Sequence, residues 1–159
     1  MKKIIFCTFF ISLILFSCDR KEVNIPIYSY SLLQDEVLNF QLDISEKEKI
    51  ISFDYFNKND SINRLHFNYN KVTDVLISNT DTFYSTKREY NSKEIKFRFY
   101  QTKDVKSNNR SLVFNEKYGL LSNLAFGSDY LFTTDSISKI EKEILFKELF
   151  LQLNEVNIK

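Results

Sequence analysis

The segment VLNFQLDIS, residues 37–45, alternates without a fault: Leu38, Phe40, Leu42 and Ile44 are apolar, and Asn39, Gln41 and Asp43 between them are polar. An extended chain places every second side chain on the same side, so this segment has one face to bury and one that tolerates water. The pattern returns in IISFDYF at 50–56, through Ile51, Phe53 and Tyr55, and in RLHFNYN at 64–70. In the latter Leu65, Phe67 and Tyr69 are the inward set, and His66, Asn68 and Asn70 the outward one. Between these two runs lies NKNDS at 57–61, a cluster of turn formers, and two alternating runs around one polar break predict a hairpin. Short apolar runs follow at VLI, 75–77, and FYS, 83–85. KEIKFRFYQ at 93–101 sets Ile95, Phe97 and Phe99 against Lys96, Arg98 and Tyr100, and KSNNR at 106–110 closes it off.

The stretch from Ser111 to Thr134 reads as three short strands with turns at 115–117 and 127–129. Regular strands separated by polar breaks define an antiparallel meander. The composition agrees, since twelve phenylalanines and nine tyrosines, both strand formers, remain after Ser17, while the whole chain has two glycines and one proline. Gly119, alone between two strand-like runs, marks a bulge or a close backbone approach.

From Ser136 the period changes. SISKIEKEILFKEL is rich in Lys, Glu, Ile and Leu, and Ser138 with Glu141 forms a capping box. A helix over about 136–153 is expected. Its apolar residues fall into two sets, Leu145, Phe146, Leu149, Phe150 and Leu153 on one broad face, and Ile137, Ile140, Ile144 and Leu151 nearly opposite. The first set would cover the sheet. The second is a candidate partner face, unless the final turns, LFLQLN, are a strand or residues 27–36 wrap the helix. The fold class expected is α+β, mostly β: an antiparallel meander of about six to eight strands packed on a C-terminal helix, in one domain spanning 27–159.

Chemistry is sparse. His66 is the single histidine, on the polar face of an expected strand, so zinc sites built on His or Cys and relays needing several such groups find no residues. No serine sits in a glycine-flanked elbow. The acidic pairs Asp35–Glu36 and Glu46–Glu48 fall at chain breaks where charge is expected anyway. NKNDS lacks the glycine and distal glutamate of a calcium loop, and two isolated glycines form no phosphate cradle. Lys96, Arg98 and Lys103 interleave with Phe97, Phe99 and Tyr100, but alternation turns the aromatics to the core and the bases to water, which is not a stacking platform for nucleic acid. No catalytic residue, metal or cofactor is expected.

The N-terminus carries the clearest message. Lys2 and Lys3 precede a largely apolar stretch, 4–16, which ends at Ser17-Cys18 and turns charged at once with Asp19, Arg20, Lys21 and Glu22. A membrane-spanning helix needs about 20 apolar residues, so a secretory signal is the better reading. The ending Leu15-Phe16-Ser17-Cys18 resembles the lipobox of bacterial lipoproteins. The resemblance covers the first eighteen residues. It implies diacylglyceryl transfer to the Cys18 sulfur, cleavage after Ser17, and acylation of the new amino group; ordinary cleavage near Ser17 and a retained anchor are the alternatives. Each buried methylene is worth about 0.8 kcal/mol, so two or three acyl chains hold a protein firmly on a membrane. Residues 18–26, mixed in charge, would be the lipidated start and a short tether. Asp19 resembles the inner-membrane retention signal of some enteric bacteria, a rule that does not extend to all Gram-negative lineages; the expected address is the Gram-negative cell envelope, with the outer membrane favoured.

Loss of residues 1–17 leaves 20 basic and 21 acidic residues, a formal balance of −1, which argues against nucleic acid as a partner. Cys7 leaves with the leader and Cys18 is lipidated, so the remaining 142 residues are held by their core alone. Three functions fit. The leading one is a non-catalytic, lipid-anchored domain that binds or scaffolds another envelope protein. The others are an immunity-type inhibitor of a toxin, and a carrier of an apolar molecule in a half-barrel lined by Phe53, Phe67, Phe97 and Phe99.

Overall fold

The computed structural model describes residues 20–57, 60–79, 81–92, 94–103, 110–125 and 128–154. The expected leader, Cys18, residue 127 of the second expected turn and most of the loop at 106–110 lie outside these residues. In chain order the strands are β1 (Arg20–Ser31), β2 (Val37–Lys47), β3 (Ile50–Asn57), β4 (Asp60–Asn70), β5 (Val75–Ser78), β6 (Asp81–Ser92), β7 (Ile95–Gln101), β8 (Ser111–Asn115), β9 (Gly119–Leu124) and β10 (Tyr130–Thr133), followed by the helix α1 (Lys139–Asn154).

Each strand pairs antiparallel with its neighbour in sequence, and β10 returns to β1 through Tyr28↔Thr133 and Tyr30↔Leu131, so the meander closes into a barrel. Closure pairs the ladder groups that an open sheet would leave bare at its edges. Among the described residues the strands number ten, where six to eight were expected. The expected tether accounts for part of the difference. From Arg20 the backbone is already strand, in register with β2 from Arg20↔Glu46 to Tyr30↔Val37, with a bulge between Glu22 and Ile25. Its sequence hides this because Ser29 lies on the inner side while Tyr28 and Tyr30 pack on the outer one.

The inner face carries Phe40, Leu42 and Ile44 from β2, Phe53 and Tyr55 from β3, Phe67 and Tyr69 from β4, and Leu112 and Phe114 from β8, all buried. Rings meet across the lumen. Phe53 and Phe114 stand edge to face at 5.0 Å between centroids, and Tyr55 lies 5.6 Å from Phe132. Such pairs add about 0.5–1.5 kcal/mol each beyond the area they bury. Ten strands enclose more space than eight, and aromatic side chains are what fills it.

Gly119 is the tightest point of this interior. Its φ is +81°, and a β-carbon placed there would lie 2.2 Å from the Tyr55 hydroxyl. That hydroxyl accepts a hydrogen bond from the Leu120 N–H at 2.7 Å, beside a register shift between Val113 and Phe114. Burial pushes the Tyr55 phenol well above its usual range, the backbone bond pulling modestly the other way. The close approach expected of this glycine is thus with the hydroxyl of a tyrosine from the opposite wall. The turn before it is built by Asn115, whose Oδ1 accepts from the N–H groups of Lys117 (2.8 Å) and Tyr118 (3.1 Å). Asn70 does the same for Val72 and Thr73 in the turn after β4.

A second apolar layer lies outside the barrel. Tyr30, Tyr90, Phe97, Phe99, Val113, Leu121, Leu124 and Leu131 form its floor, and Phe146 and Leu149 of α1 cover it. Both faces of β7 are therefore buried at its end, Phe99 under the helix and Tyr100 inside the barrel. Tyr100, expected on the water-facing side with Lys96 and Arg98, is only 1% exposed because the sheet curves round to enclose it.

Candidate functional site

The helix starts where the capping box placed it. The Ser138 N–H donates to Glu141 Oε2 at 2.7 Å, and the Glu141 N–H donates back to Ser138 Oγ at 3.2 Å. These bonds hold the Glu141 carboxyl below its usual range. α1 contains neither glycine nor proline and runs through Asn154, so the final LFLQLN turns are helical. Isolated helices of about 12–15 residues are marginal in water, so the docked face supplies the stability.

Four polar bonds reinforce that docking. Tyr30 Oη accepts from the Ile137 N–H at 3.0 Å, and Lys142 Nζ donates to the Ser31 carbonyl at 3.1 Å. Tyr90 Oη donates to Glu148 Oε2 at 2.7 Å, and the Arg88 guanidinium bonds the Leu153 carbonyl. Burial, and then the Glu148 carboxylate that accepts from it, push the Tyr90 phenol far up. Lys142 lies within the buried face, among Phe146 and Leu149. Periodicity gave no sign of it, because a lysine is assigned to water unless a carbonyl such as that of Ser31 is known to await it.

The candidate partner face divides. Ile140 is 70% exposed, Leu151 56% and Ile144 50%, forming a stripe on the outer side of α1. Ile137 does not belong to it: the residue precedes α1 and packs against the layer under the helix, fixed through Tyr30. Helical spacing does not reach Ile137, because the helix begins at Lys139.

The exterior of β3 and β4 on the opposite wall is polar. His66 Nδ1 lies 2.9 Å from Asp54 Oδ1, which also accepts from Arg64 Nη2 at 2.8 Å. Partial burial raises the Asp54 carboxyl, but Arg64 and His66 together outweigh it and hold it below its usual value. Ser52 Oγ on the same wall donates to Asn68 Oδ1 at 2.7 Å. The arrangement is a hydrogen-bonded surface ladder. Among the described residues, no group of three His, Cys, Asp or Glu comes together as a metal site, and no helix is long and apolar enough to cross a membrane.

The four phenylalanines expected to line a carrier cavity do not meet in one space. Phe53 and Phe67 are inside the barrel, Phe97 and Phe99 outside it under α1. The barrel ends differ instead. At the end holding the turn after β4, Asp74 closes the lumen: its Oδ1 accepts from Tyr100 (2.7 Å) and Tyr69 (3.0 Å), and its Oδ2 from Arg98 (3.1 Å). Burial first, and the Asp74 carboxylate next, raise both phenols. At the other end lies a pocket of about 220 Å³ among Leu38, Phe40, Leu65, Tyr130, Phe132 and Asn123. Asn123 Oδ1 and Gln41 Oε1 are the two buried side-chain atoms, among the described residues, without a hydrogen-bond partner. Leaving a buried acceptor unpaired costs about 1–3 kcal/mol. The only trace of this in the sequence is a polar pair, Ser122-Asn123, inside an otherwise apolar strand.

No family model, no curated protein and no solved structure matches this chain.

Proposed function

We propose that this chain is a lipid-anchored protein of the cell envelope whose barrel presents a non-catalytic docking face for another envelope protein on the outer side of α1. The carrying observation is the stripe of Ile140, Ile144 and Leu151, at least half exposed on a helix that is fixed to the barrel by apolar packing of its other face and three polar bonds. Large apolar side chains aligned on a rigid exposed surface are the usual material of an interaction site. The anchor is Cys18, and β1 starts two residues later at Arg20. Lipid attached at Cys18 would hold the barrel close to the bilayer, with little freedom to roam.

Two measurements test the halves separately. Labelling cells with a palmitate analogue is expected to tag the full chain and to fail on Cys18→Ala; labelling that survives removes the anchor. A photo-crosslinking residue at Ile144 in native membranes is expected to capture one discrete envelope protein, while the same residue at Ile77, on the barrel wall away from α1, captures none. Equal capture at both positions, or none at Ile144, removes the docking face.

A further inference from the structure

We propose that the end of the barrel opposite Asp74 binds a small uncharged molecule with an apolar body and one hydrogen-bond donor, held among Leu38, Phe40, Leu65, Tyr130 and Phe132 and read by Asn123. Leu38, Phe40, Leu65, Tyr130 and Phe132 of β2, β4 and β10 give the pocket its apolar walls, and Ser29 of β1 and Arg64 of β4 add polar groups to its lining. Asn123 pairs directly across the ladder with Leu112 on one side and Tyr130 on the other. Directly paired residues share a face of the sheet, and Leu112 belongs to the barrel interior, so the Asn123 carboxamide points inward with them. It is 9% exposed, and its Oδ1 has no partner. An asparagine among such neighbours contributes nothing to packing that a leucine would not do better; an N–H or O–H brought in by a guest gives its oxygen the bond it lacks.

The surroundings argue for a neutral guest. Arg64 also lines the pocket, with its Nη2 on Asp54 Oδ1 at 2.8 Å, so its charge is partnered by a carboxylate at the lip. Ser29, 2% exposed on the adjoining stretch of β1, adds a hydroxyl to the lining. The floor beside Asn123 is held in place, since Ser122 Oγ donates to the Tyr130 carbonyl at 2.9 Å. A cavity of about 150 Å³ takes benzene in another protein, so 220 Å³ suits a guest of roughly nine non-hydrogen atoms, the size of a substituted phenol. This site is inside the barrel and separate from the outer face of α1, so the fate of either proposal leaves the other standing.

The probe is p-cresol, with toluene as the same shape lacking the donor. The full chain in lipid nanodiscs carries labelled asparagine side-chain amides and leucine methyls, so binding is read at Asn123 and Leu65 whatever dissolves in the lipid. p-Cresol is expected to shift both signals saturably and to bind about tenfold more tightly than toluene, the worth of one hydrogen bond. Asn123→Leu is expected to abolish that preference while toluene still binds. Because Asn123 is buried, Leu38→Trp serves as a second variant: it fills the pocket from the half-buried lip and should eliminate p-cresol binding with the barrel signals intact. No saturable shift in the natural chain, equal affinity for the two probes, or p-cresol binding that survives Leu38→Trp would each overturn the site.

Discussion

The barrel interior and the layer beneath α1 are both apolar and aromatic, yet they are held in different ways. Phe53, Tyr55, Phe67 and Phe114 are enclosed by the sheet that carries them, and their exclusion from water comes with strand pairing itself. Phe97, Phe99, Val113 and Leu131 lie on the convex side of the same sheet and stay dry only because one helix of sixteen residues lies across them. A closed sheet makes one core without help; a second core on its outer wall depends on an added element. That difference predicts a hierarchy of stability, with the outer layer opening before the barrel. It also explains why Lys142, Glu148 and Leu153 of α1, and Ile137 just before it, are hydrogen-bonded to the barrel through Ser31, Tyr90, Arg88 and Tyr30, while the interior has little need of polar fastening beyond Tyr55 and the Asp74 cluster.

The largest effects should separate the two layers. Gly119→Ala places a methyl into the Tyr55 hydroxyl at a residue with φ of +81°, so global unfolding is expected to be easier by about 3 kcal/mol or more, seen as a cooperative fall in denaturant midpoint. Phe146→Ala removes a ring that is 1% exposed in the outer layer, at a cost of about 3–5 kcal/mol. Its loss should appear in hydrogen exchange first as released protection of α1 and its floor, with β2–β5 still protected. If both variants lose protection everywhere at once, the layers are one cooperative unit and the distinction fails.

Ser138→Ala sharpens the same contrast at smaller scale. It takes away one half of the capping box, and about 1 kcal/mol should be lost, with fraying confined to the first turn of α1. The smallest effect belongs to the polar wall. Asp54 has its carboxyl held below the ordinary value, so its contribution is present above about pH 3.9 and is lost as pH falls through the lower folded value. Arg64 is 62% exposed on its side-chain surface, so screening keeps this below about 1 kcal/mol. The stability gap between the natural chain and Asp54→Asn should therefore shrink between pH 5 and pH 3; a gap that widens there contradicts the assignment.

Legibility followed local contrast. β2, β3 and β4 were plain because one of their faces is buried and the other wet, and the capping box at Ser138 was plain because both partners are three residues apart. β1 was obscure because its two sides bury different things, Ser29 within and Tyr30 beneath the helix. Tyr100 was assigned to water for the same reason in reverse. The pocket at Asn123 was invisible, since it is assembled from β1, β2, β4, β9 and β10, and nothing along the chain announces that those strands end together.

What the sequence by itself determined is the local periods: alternation for the strands, a capped stretch of Lys, Glu and Leu for the helix, and an apolar N-terminal stretch whose last residues resemble a lipidation signal. These depend on neighbours a few positions apart, where sequence distance and spatial distance coincide. Only the tertiary structure decided that the meander closes on β1, that α1 lies outside rather than over an open trough, and that one asparagine is left facing an apolar pocket. Those outcomes rest on pairings between residues about a hundred positions apart, Tyr30 with Leu131 and Ser31 with Lys142, whose energy comes from burial that neither partner's own stretch of sequence reveals.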